Sequence, residues 1–414
     1  METRTAARRV ALGTIAVGAV VFVVLAVVRV PWSGLPQAVP ASSVFAAADI
    51  ERAEHYARWG RVWSWSGLAV SLAVACWLGF GRRGRRWAAR VPGWWWVRIV
   101  AVVAALTLVG RVVTLPFGIA LRRLALEEGV AAGTWGAWAV DVVKSELITI
   151  GSTSLAVVVL LGCARRWPRA WPAIAGVLGA GLVAAGSFVY PVLVEPVFNQ
   201  FESLPDGALR TDVLALADAE GVRVDDVLVA DASRRTTALN AYVSGFGHTR
   251  RVVLYDTLVD DTPRDEVLSV VAHELAHAKY DDVGTGTALG AAGALVGIGL
   301  LGLLVPLGER RERGGRPERG ADPVTLVPAV LALAALATVL SAPLQNGISR
   351  QLEARADRTA LEQTKDPAAF VALQRRLALR AHADPTPPAW SQFWFGSHPT
   401  VLQRIALARS SASR

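Results

Sequence analysis

The chain has 414 residues, of which 53% are hydrophobic and only 19% are charged, and its formal net charge is +9. A mean hydropathy of +0.39 is too apolar for an ordinary soluble enzyme and indicates a multi-span membrane protein. The basic residues are mostly Arg in short clusters between apolar runs, which indicates membrane orientation and no nucleic-acid partner. Cys76 and Cys163 lie in apolar runs, so a metal would have to be held by His and carboxylates.

Apolar runs long enough to cross a bilayer predict five spans in the N-terminal part and two more near the C-terminus. The first run is too long for the core of a signal peptide, so we predict that it is retained as a span. The predicted spans are Val10–Val30, Val62–Phe80, Ile99–Ala120, Leu147–Cys163, Trp171–Val194, Thr285–Leu307 and Val324–Leu344, with the Arg-rich loop Gly308–Asp322 between the last two.

Arg111 lies inside the third predicted span. A charge at that depth must face protein or a water-filled cavity. The sequence leaves two interpretations open, a structural pair with an acid such as Glu146 or a place in a polar chamber.

The segment Phe198–Asp282 is soluble-like and lies between the two groups of spans. Its hydrophobic periodicity predicts helices and short β-branched strands, and a turn at Gly247–Thr249 is typical of a hairpin. The predicted elements are a helix near Ala208–Glu220, strands at Val227–Ala230, Ala241–Phe246 and Arg251–Tyr255, and a helix from about Pro263.

That last helix carries His273, Glu274 and His277 in the order H-E-x-x-H. Helical residues four apart differ by only ~40° in direction, so both imidazoles face one metal ion. Glu274 points ~100° away, where a carboxylate acts as a general base and not as a ligand. A chance match on an amphipathic helix is the alternative, and it is rare in a chain with six His. The motif predicts a zinc site.

A hydrolytic zinc site usually has a third protein ligand, and the stretch Asn346–Asp357 offers one. Glu353 and Asp357 lie four apart, so Glu353 can bind the metal while Asp357 orients a ligand imidazole. The alternative is an ordinary charged helix. Two predicted spans separate His277 from Glu353, so both return to the same side at similar depth, near the membrane surface. Such a site suits a substrate that carries a lipid or starts in the bilayer.

Five motifs in this order resemble the type I CAAX prenyl endopeptidases, which are integral-membrane zinc peptidases with seven spans. The resemblance runs from about Tyr190 to the C-terminus, while the earlier residues agree only in the number and placing of spans. The motifs are LNAYVSGF at 239–246, RVVLYDTLV at 251–259, HELAH at 273–277, NGISRQLEARAD at 346–357 and GSHPTVLQRI at 396–405.

The resemblance implies one zinc ion per chain on His273, His277 and Glu353, with Glu274 activating water. It also implies that Asn240 holds the substrate backbone, that His398 stabilises the tetrahedral intermediate and that Arg404 contributes to substrate binding. From the residues alone, Asn240 could instead cap a turn, and His398 could be an ordinary surface residue.

Together these features predict a mainly α-helical, polytopic membrane protein with about seven spans and a zincin-like domain. We divide it into a five-span domain (1–197), a peptidase part (198–282), two spans (283–345) and a second peptidase part (346–414). The predicted function is a zinc-dependent membrane metalloendopeptidase that cuts a peptide or protein substrate, lipidated or membrane-embedded, among membrane lipids. The alternatives are a quality-control metalloprotease and a non-catalytic sensor or transporter with a vestigial site. A composition rich in Ala, Val, Gly and Arg indicates a bacterial plasma-membrane protein.

The Arg distribution predicts the orientation of the site. Arg is concentrated before the first span and in loops 81–98, 164–170 and 308–322, whereas the opposite loops 31–61 and 118–145 hold fewer basic residues, diluted by acids. The positive-inside rule then places the N-terminus in the cytoplasm and the zinc site on the outer face. The resemblance to eukaryotic peptidases implies the reverse.

Overall fold

The computed structural model describes residues 2–245, 247–305, 312–313, 316–317 and 322–412. Phe246 and most of the predicted loop Gly308–Asp322 therefore lie outside the described residues. The molecule is mainly helical, as predicted. In chain order the helices are α1 (Glu2–Arg29), α2 (Ala47–Phe80), α3 (Arg82–Arg90), α4 (Trp95–Glu127), α5 (Trp135–Arg166), α6 (Trp171–Val189), α7 (Glu195–Phe198), α8 (Ala208–Ala219), α9 (Asp256–Asp261), α10 (Arg264–Lys279), α11 (Asp282–Leu304), α12 (Val327–Thr364), α13 (Pro367–Arg380), α14 (Ala389–Phe395) and α15 (Val401–Ala412).

Seven helical segments of the described chain are long and apolar enough to cross a membrane, which confirms the predicted number of spans. They are α1, α2, α4, α5, α6 with α7, α11 and α12. Large apolar side chains remain exposed on their outer faces, such as Val112 at 67% and Leu340 at 71%, because lipid solvates them there. The helices extend beyond the predicted runs. For example, α2 begins at Ala47 and not at Val62, since no proline interrupts the intervening residues.

Helix α12 joins two elements that the sequence predicted separately. The last predicted span and the polar helix Gly347–Glu362 form one continuous helix of 38 residues, with Pro343 inside it. At 1.5 Å per residue this helix is ~57 Å long, well beyond a ~30 Å hydrocarbon core. Its C-terminal turns therefore project from the membrane as a rigid extension of the span, and they carry Glu353 and Asp357.

Small residues allow α1 and α11 to pack closely. A Cβ atom placed on Gly18 would lie 2.8 Å from the Cβ of Leu295, and one placed on Gly299 would lie 2.6 Å from Cγ1 of Ile15. Neither position has room for a side chain, as is typical of small-residue interfaces in membranes. The first span is thereby held against the helix that directly follows the H-E-x-x-H helix.

Arg111 fits both interpretations that the sequence left open. Its Nε donates to Oε2 of Glu146 at 2.7 Å, so the structural pair exists. Both residues also line a cavity of about 410 Å³ between α2, α4, α5 and α12, together with the hydroxyl-bearing residues Thr107, Thr114 and Thr149. The membrane domain therefore contains a chamber in which the Arg111–Glu146 pair and several hydroxyl groups lie among mainly apolar residues such as Leu78 and Leu331.

A four-stranded mixed sheet lies between the spans, in the order β1-β2-β4-β3. Its strands are β1 (Phe201–Ser203), β2 (Asp226–Ala230), β3 (Ala241–Ser244) and β4 (Arg251–Tyr255), and a separate pair is formed by β5 (Glu312–Arg313) and β6 (Arg316–Pro317). The predicted hairpin is present, because β3 and β4 pair antiparallel, with Ala241 opposite Leu254. Strand β2 pairs parallel to β4, and β1 pairs antiparallel to β2. We did not predict β1, because three residues are too few to show a periodicity.

The sheet and the C-terminal helices form the platform for α10. Val267, Val271 and Leu275 of α10 are buried in one core with strand residues such as Val252 and Leu254. On another side, Arg376 of α13 donates two hydrogen bonds to the buried carboxylate of Glu266, at 2.7 and 2.9 Å. Apolar packing and this bidentate pair therefore fix the helix that carries the predicted metal ligands. The division into four segments stays a prediction.

Candidate metal centre

His273 and His277 lie one turn apart on α10, and their Nε2 atoms are 3.2 Å apart. Glu353 approaches the pair from α12. Its Oε2 lies 3.2 Å from Nε2 of His273, and its Oε1 lies 3.5 Å from Nε2 of His277. The three side chains are thus brought together from segments that two membrane helices separate in sequence.

The spacing of these donor atoms fits a tetrahedral metal ion. Ligands at ~2.0–2.1 Å from Zn²⁺ lie ~3.3 Å from one another, close to the three distances measured here. Glu353 Oε2 is buried and has no hydrogen-bond donor among the described residues, although Nε2 of His273 lies 3.2 Å away and Nε2 of His398 lies 3.4 Å away. An orphaned carboxylate oxygen that faces two ring nitrogens is costly unless a cation is bound there. The donor set therefore fits the predicted zinc.

Buried acids lie behind both imidazoles. Nδ1 of His273 is 2.9 Å from Oδ1 of Asp357, which is 1% exposed. Nδ1 of His277 is 2.8 Å from Oδ2 of Asp282 at the start of α11. We predicted that Asp357 orients an imidazole, but Asp282 was not singled out. Asp282 lies three residues before the predicted span Thr285–Leu307, where an acid is common, so the sequence contains no specific signal for its contact with His277.

Arg404 reaches the site from α15, where Leu402, Ile405 and Ala408 anchor the helix in the core. Its guanidinium donates to both carboxylate oxygens of Asp357, at 2.8 and 2.5 Å, and Nη2 lies 3.4 Å from Nδ1 of His273. Burial lowers the pKa of Arg404, but the negative charge of Asp357 outweighs burial and the net shift is upward. These contacts place Arg404 behind His273, and its role in substrate binding stays a prediction.

Glu274 and His273 of α10 both have raised pKa values. Burial raises the pKa of Glu274, and the neighbouring imidazoles oppose that shift. Burial alone would lower the pKa of His273, but the contacts with Asp357 and Glu353 raise it to about 10. A cation held at Nε2 would take the place of a proton there, so metal binding would be coupled to proton release. The upward shift of the Glu274 pKa favours this carboxylate as a proton acceptor.

His398 lies on the open side of the site. Its Nε2 is 3.4 Å from Oε2 of Glu353, and its Nδ1 is 2.9 Å from the hydroxyl of Ser397. The ring is 57% exposed, yet desolvation of its packed side lowers its pKa. Arg350 of α12 donates to the carbonyl of Gly396 at 2.5 Å, which fixes the loop that carries His398.

Asn240 immediately precedes β3, which is the last strand of the sheet order. One edge of β3 therefore carries no strand among the described residues, while β3 itself packs beside α10. Asn240 is exposed, and its carbonyl accepts from the backbone N–H of Tyr255 at 3.0 Å. This is a position from which an extended peptide could pair with the sheet next to the metal ligands.

Comparison with known protein families covers nearly the whole chain. A model described as peptidase family M48 matches residues 203–412. A second model, described as the CAAX prenyl protease N-terminal region with five membrane helices, matches residues 35–200. The first range contains the metal ligands and the second contains four of the spans.

Individual relatives agree with these family matches. The uncharacterized metalloprotease YhfN of Bacillus subtilis is 28% identical over 327 residues, which cover 79% of this chain and 77% of YhfN. A CAAX prenyl protease 1 homolog of Oryza sativa subsp. japonica is 30% identical over 237 residues, 55% of this chain and 53% of its own. The crystal structure of S. mikatae Ste24p matches with a TM-score of 0.71 at 18% identity, over 99% of each chain, which shows a shared fold.

Proposed function

This chain belongs to peptidase family M48, and from that membership we propose that it is a zinc-dependent endopeptidase that cuts its substrate at the membrane surface. It is a multi-pass integral membrane metalloprotease with a His-His-Glu metal site. The observation that carries the proposal is the convergence of His273, His277 and Glu353 at tetrahedral spacing, beside a glutamate with a raised pKa.

Zinc held by these three residues would polarise the scissile carbonyl and lower the pKa of a bound water molecule. Glu274 takes a proton from the attacking water and passes it to the leaving amine. His398, with Ser397 on its other nitrogen, presents Nε2 toward the oxyanion that forms at the attacked carbonyl. Asn240 and the free edge of β3 hold the substrate in an extended conformation.

The remaining polar residues hold the ligands in place. Asp357 accepts from Nδ1–H of His273, so Nε2 keeps its lone pair for the metal. We propose that Arg404 keeps Asp357 ionised and fixed, and this role follows more directly from its contacts than substrate binding does.

The substrate class that we favour is a membrane-associated peptide or protein of the CAAX prenyl protease type. Glu353 lies on a direct extension of a membrane span, which supports a site near the membrane surface. A peptide with a lipid at its C-terminus could reach the site while its lipid stays in the bilayer. A quality-control protease would instead accept unfolded chains regardless of lipid.

Cleavage by the purified protein tests this proposal and its rivals. A farnesylated CAAX peptide, the same peptide without the lipid and an unfolded soluble protein are compared, with Glu274→Gln as the matched control. Selective cleavage of the lipidated peptide supports the proposal, while equal cleavage of the unfolded protein supports quality control. If wild-type protein carries no zinc and cuts nothing, the non-catalytic alternative stands. If the purified protein does cleave peptides, the peptides that accumulate in membranes of a Glu274→Gln strain would identify the natural substrate.

The orientation of the site also requires a test, because the Arg distribution predicts an outward site and the resemblance predicts a cytosolic one. A cysteine at Ser203, which is exposed in β1, reports the side directly. We expect a membrane-impermeant thiol reagent to label Ser203→Cys in intact cells. Labelling only after lysis would show that the Arg bias does not set the orientation. The parent protein is the control, since Cys76 and Cys163 lie inside spans.

A further inference from the structure

The second metal ligand has its own carboxylate partner, which the sequence did not indicate. Oδ2 of Asp282 lies 2.8 Å from Nδ1 of His277, on the side of the ring opposite Glu353. Asp282 is only 8% exposed although it is the first residue of a membrane helix, α11. Burial of a carboxylate is costly without a partner, and here the imidazole of His277 is a partner.

The local backbone explains how Asp282 reaches His277. On an uninterrupted helix a residue five positions further points ~140° away from the first, so Asp282 would not face the imidazole. The helix stops at Lys279, and Asp281 adopts the left-handed conformation with φ of 52°. This reversal starts α11 in a new direction and returns Asp282 to the ring. Its charge also lies in the first turn of α11, where the helix dipole favours an acid.

A second helix fixes the carboxylate of Asp282. Arg355 of α12 donates from Nη2 to Oδ1 of Asp282, so the two oxygens of the acid serve the arginine and the histidine separately. The guanidinium itself lies over the ring of Tyr280, 4.2 Å from its centroid. The hydroxyl of Tyr280 lies 3.5 Å from Oγ1 of Thr359 on α12. The acid therefore has little freedom to turn away from the imidazole.

The same arrangement supports the other imidazole. Asp357 contacts Nδ1 of His273 and is held by Arg404, whose guanidinium lies 5.9 Å from the ring centroid of Phe370. Each ligand histidine thus has a buried aspartate, and each aspartate has an arginine packed on an aromatic ring. The two sets share no residue, although both include residues of α10 and α12; they differ in that Asp282 belongs to α11 and Arg404 to α15.

We propose that Asp282, held by Arg355, is the positioning residue for His277. The proposal rests on the proposed zinc peptidase function. By accepting the Nδ1 proton, the carboxylate leaves the lone pair of Nε2 for the metal and fixes the plane of the ring. Because Asp282 begins α11 and Arg355 belongs to α12, the two spans that follow the motif set the direction of the second ligand.

Zinc affinity of the full-length protein in detergent, measured by competition with a fluorescent chelator, tests the proposal. We expect Asp282→Asn to weaken zinc binding by roughly 10–100-fold, as Asp357→Asn should at the other histidine. Asp281→Asn is the matched control, since that neighbouring acid is 64% exposed and pairs with Arg29. It should stay within about twofold of wild type, a change of only ~0.4 kcal/mol. The absorption spectrum of the Co²⁺-substituted protein should change in Asp282→Asn and not in Asp281→Asn.

A double variant separates positioning from folding. Asp282→Asn leaves the Arg355 charge without its partner, whereas Asp282→Asn with Arg355→Gln removes both charges. If Asp282 only neutralises Arg355, the double variant regains wild-type zinc affinity and the proposal is wrong. If Asp282 positions His277, the affinity stays low even when the unfolding temperature recovers. Unchanged affinity in Asp282→Asn would also overturn the inference while leaving the peptidase function intact. Wild-type protein without zinc would instead overturn the function itself.

Discussion

The metal centre and the chamber of the membrane domain both enclose charged side chains, but they hold them differently. At the metal centre the two buried aspartates behind the ligand imidazoles have partners from different helices: Asp357 from α10 and α15, and Asp282 from α10 and α12. In the chamber, Glu146 has a single bond to Arg111, and its Oε1 has no partner among the described residues. The Arg111 side chain is 41% exposed. A buried carboxylate with several partners is held in one position, as a metal centre requires. A carboxylate with one partner, such as Glu146, is held less tightly.

The largest effects are expected when the metal ligands themselves are replaced. We expect His273→Ala, His277→Ala and Glu353→Ala to lose both zinc and activity, because three protein ligands are needed to hold the ion. Glu274→Gln should keep about one zinc per chain and lose nearly all peptide cleavage, since the base is not a ligand. Metal analysis and a cleavage assay on the same preparations measure both effects. A Glu353→Ala protein with wild-type zinc affinity would place the third ligand elsewhere.

The convergence also explains which parts of the centre the sequence could predict. His273, Glu274 and His277 lie within one regular helix, so their geometry follows from helical periodicity. Glu353 could be predicted because two spans separate it from His277. An even number of spans returns the chain to the same side of the membrane, and both residues lie at a similar distance from a span end.

Asp282 could not be predicted in this way. Its direction depends on the left-handed residue Asp281, which ends one helix and starts another. Helical periodicity predicts the direction of side chains only within one helix, and it does not apply beyond the end of that helix.

The fold shows the same limit. Seven apolar runs predict seven spans, because length and composition alone decide whether a helix can cross the bilayer. The continuity of α12 was missed, since the change from apolar to polar residues after Pro343 resembles the end of an element. The α-helix hydrogen bonds continue through that change, and they place Glu353 on a rigid extension of the span.

A second test concerns residues on the open side of the centre. We expect His398→Ala and Asn240→Ala to retain zinc and to reduce turnover, His398→Ala by on the order of 10²–10³, as loss of an oxyanion donor does. Ser397→Ala should have a smaller effect, because it removes only the contact at Nδ1 of His398. Zinc content and steady-state kinetics check these expectations. Normal turnover in both His398→Ala and Asn240→Ala would mean that substrate binds on another face.

The chamber provides a third test, in which stability changes and zinc binding does not. Glu146→Gln leaves the Arg111 charge unpaired, and removing one partner of a buried pair is more destabilising than removing both. Because Arg111 is partly exposed, we expect a loss of about 1–3 kcal/mol in the free energy of unfolding. Arg111→Met with Glu146→Gln should recover most of it. Denaturant unfolding and zinc competition are measured together, and a fall in zinc affinity would show that chamber and metal centre are coupled.

The smallest effect is expected at Glu220, a buried acid of the catalytic region that lies outside the metal centre. It is 5% exposed and follows α8, and neither of its carboxylate oxygens has a partner among the described residues. Burial raises its pKa from 4.5 to about 7, and the nearby charge of Lys279 only partly opposes the shift. Glu220 thus resembles the singly paired acid of the chamber more than the acids that surround the zinc ligands.

The sign of the pH effect follows from that raised pKa. The folded protein binds the Glu220 proton more tightly than the unfolded chain does, so ionisation costs no stability below about pH 4.5 and an increasing amount up to about pH 7. Glu220→Gln removes this cost and should stabilise the protein at pH 8 by about 1–2 kcal/mol, allowing for solvent screening, but not at pH 4.5. Denaturant unfolding at both pH values measures the difference, with the exposed acid Glu362→Gln as control. An equal change at both pH values would mean that ionisation of Glu220 does not cause the effect and that its carboxylate has a partner in solution.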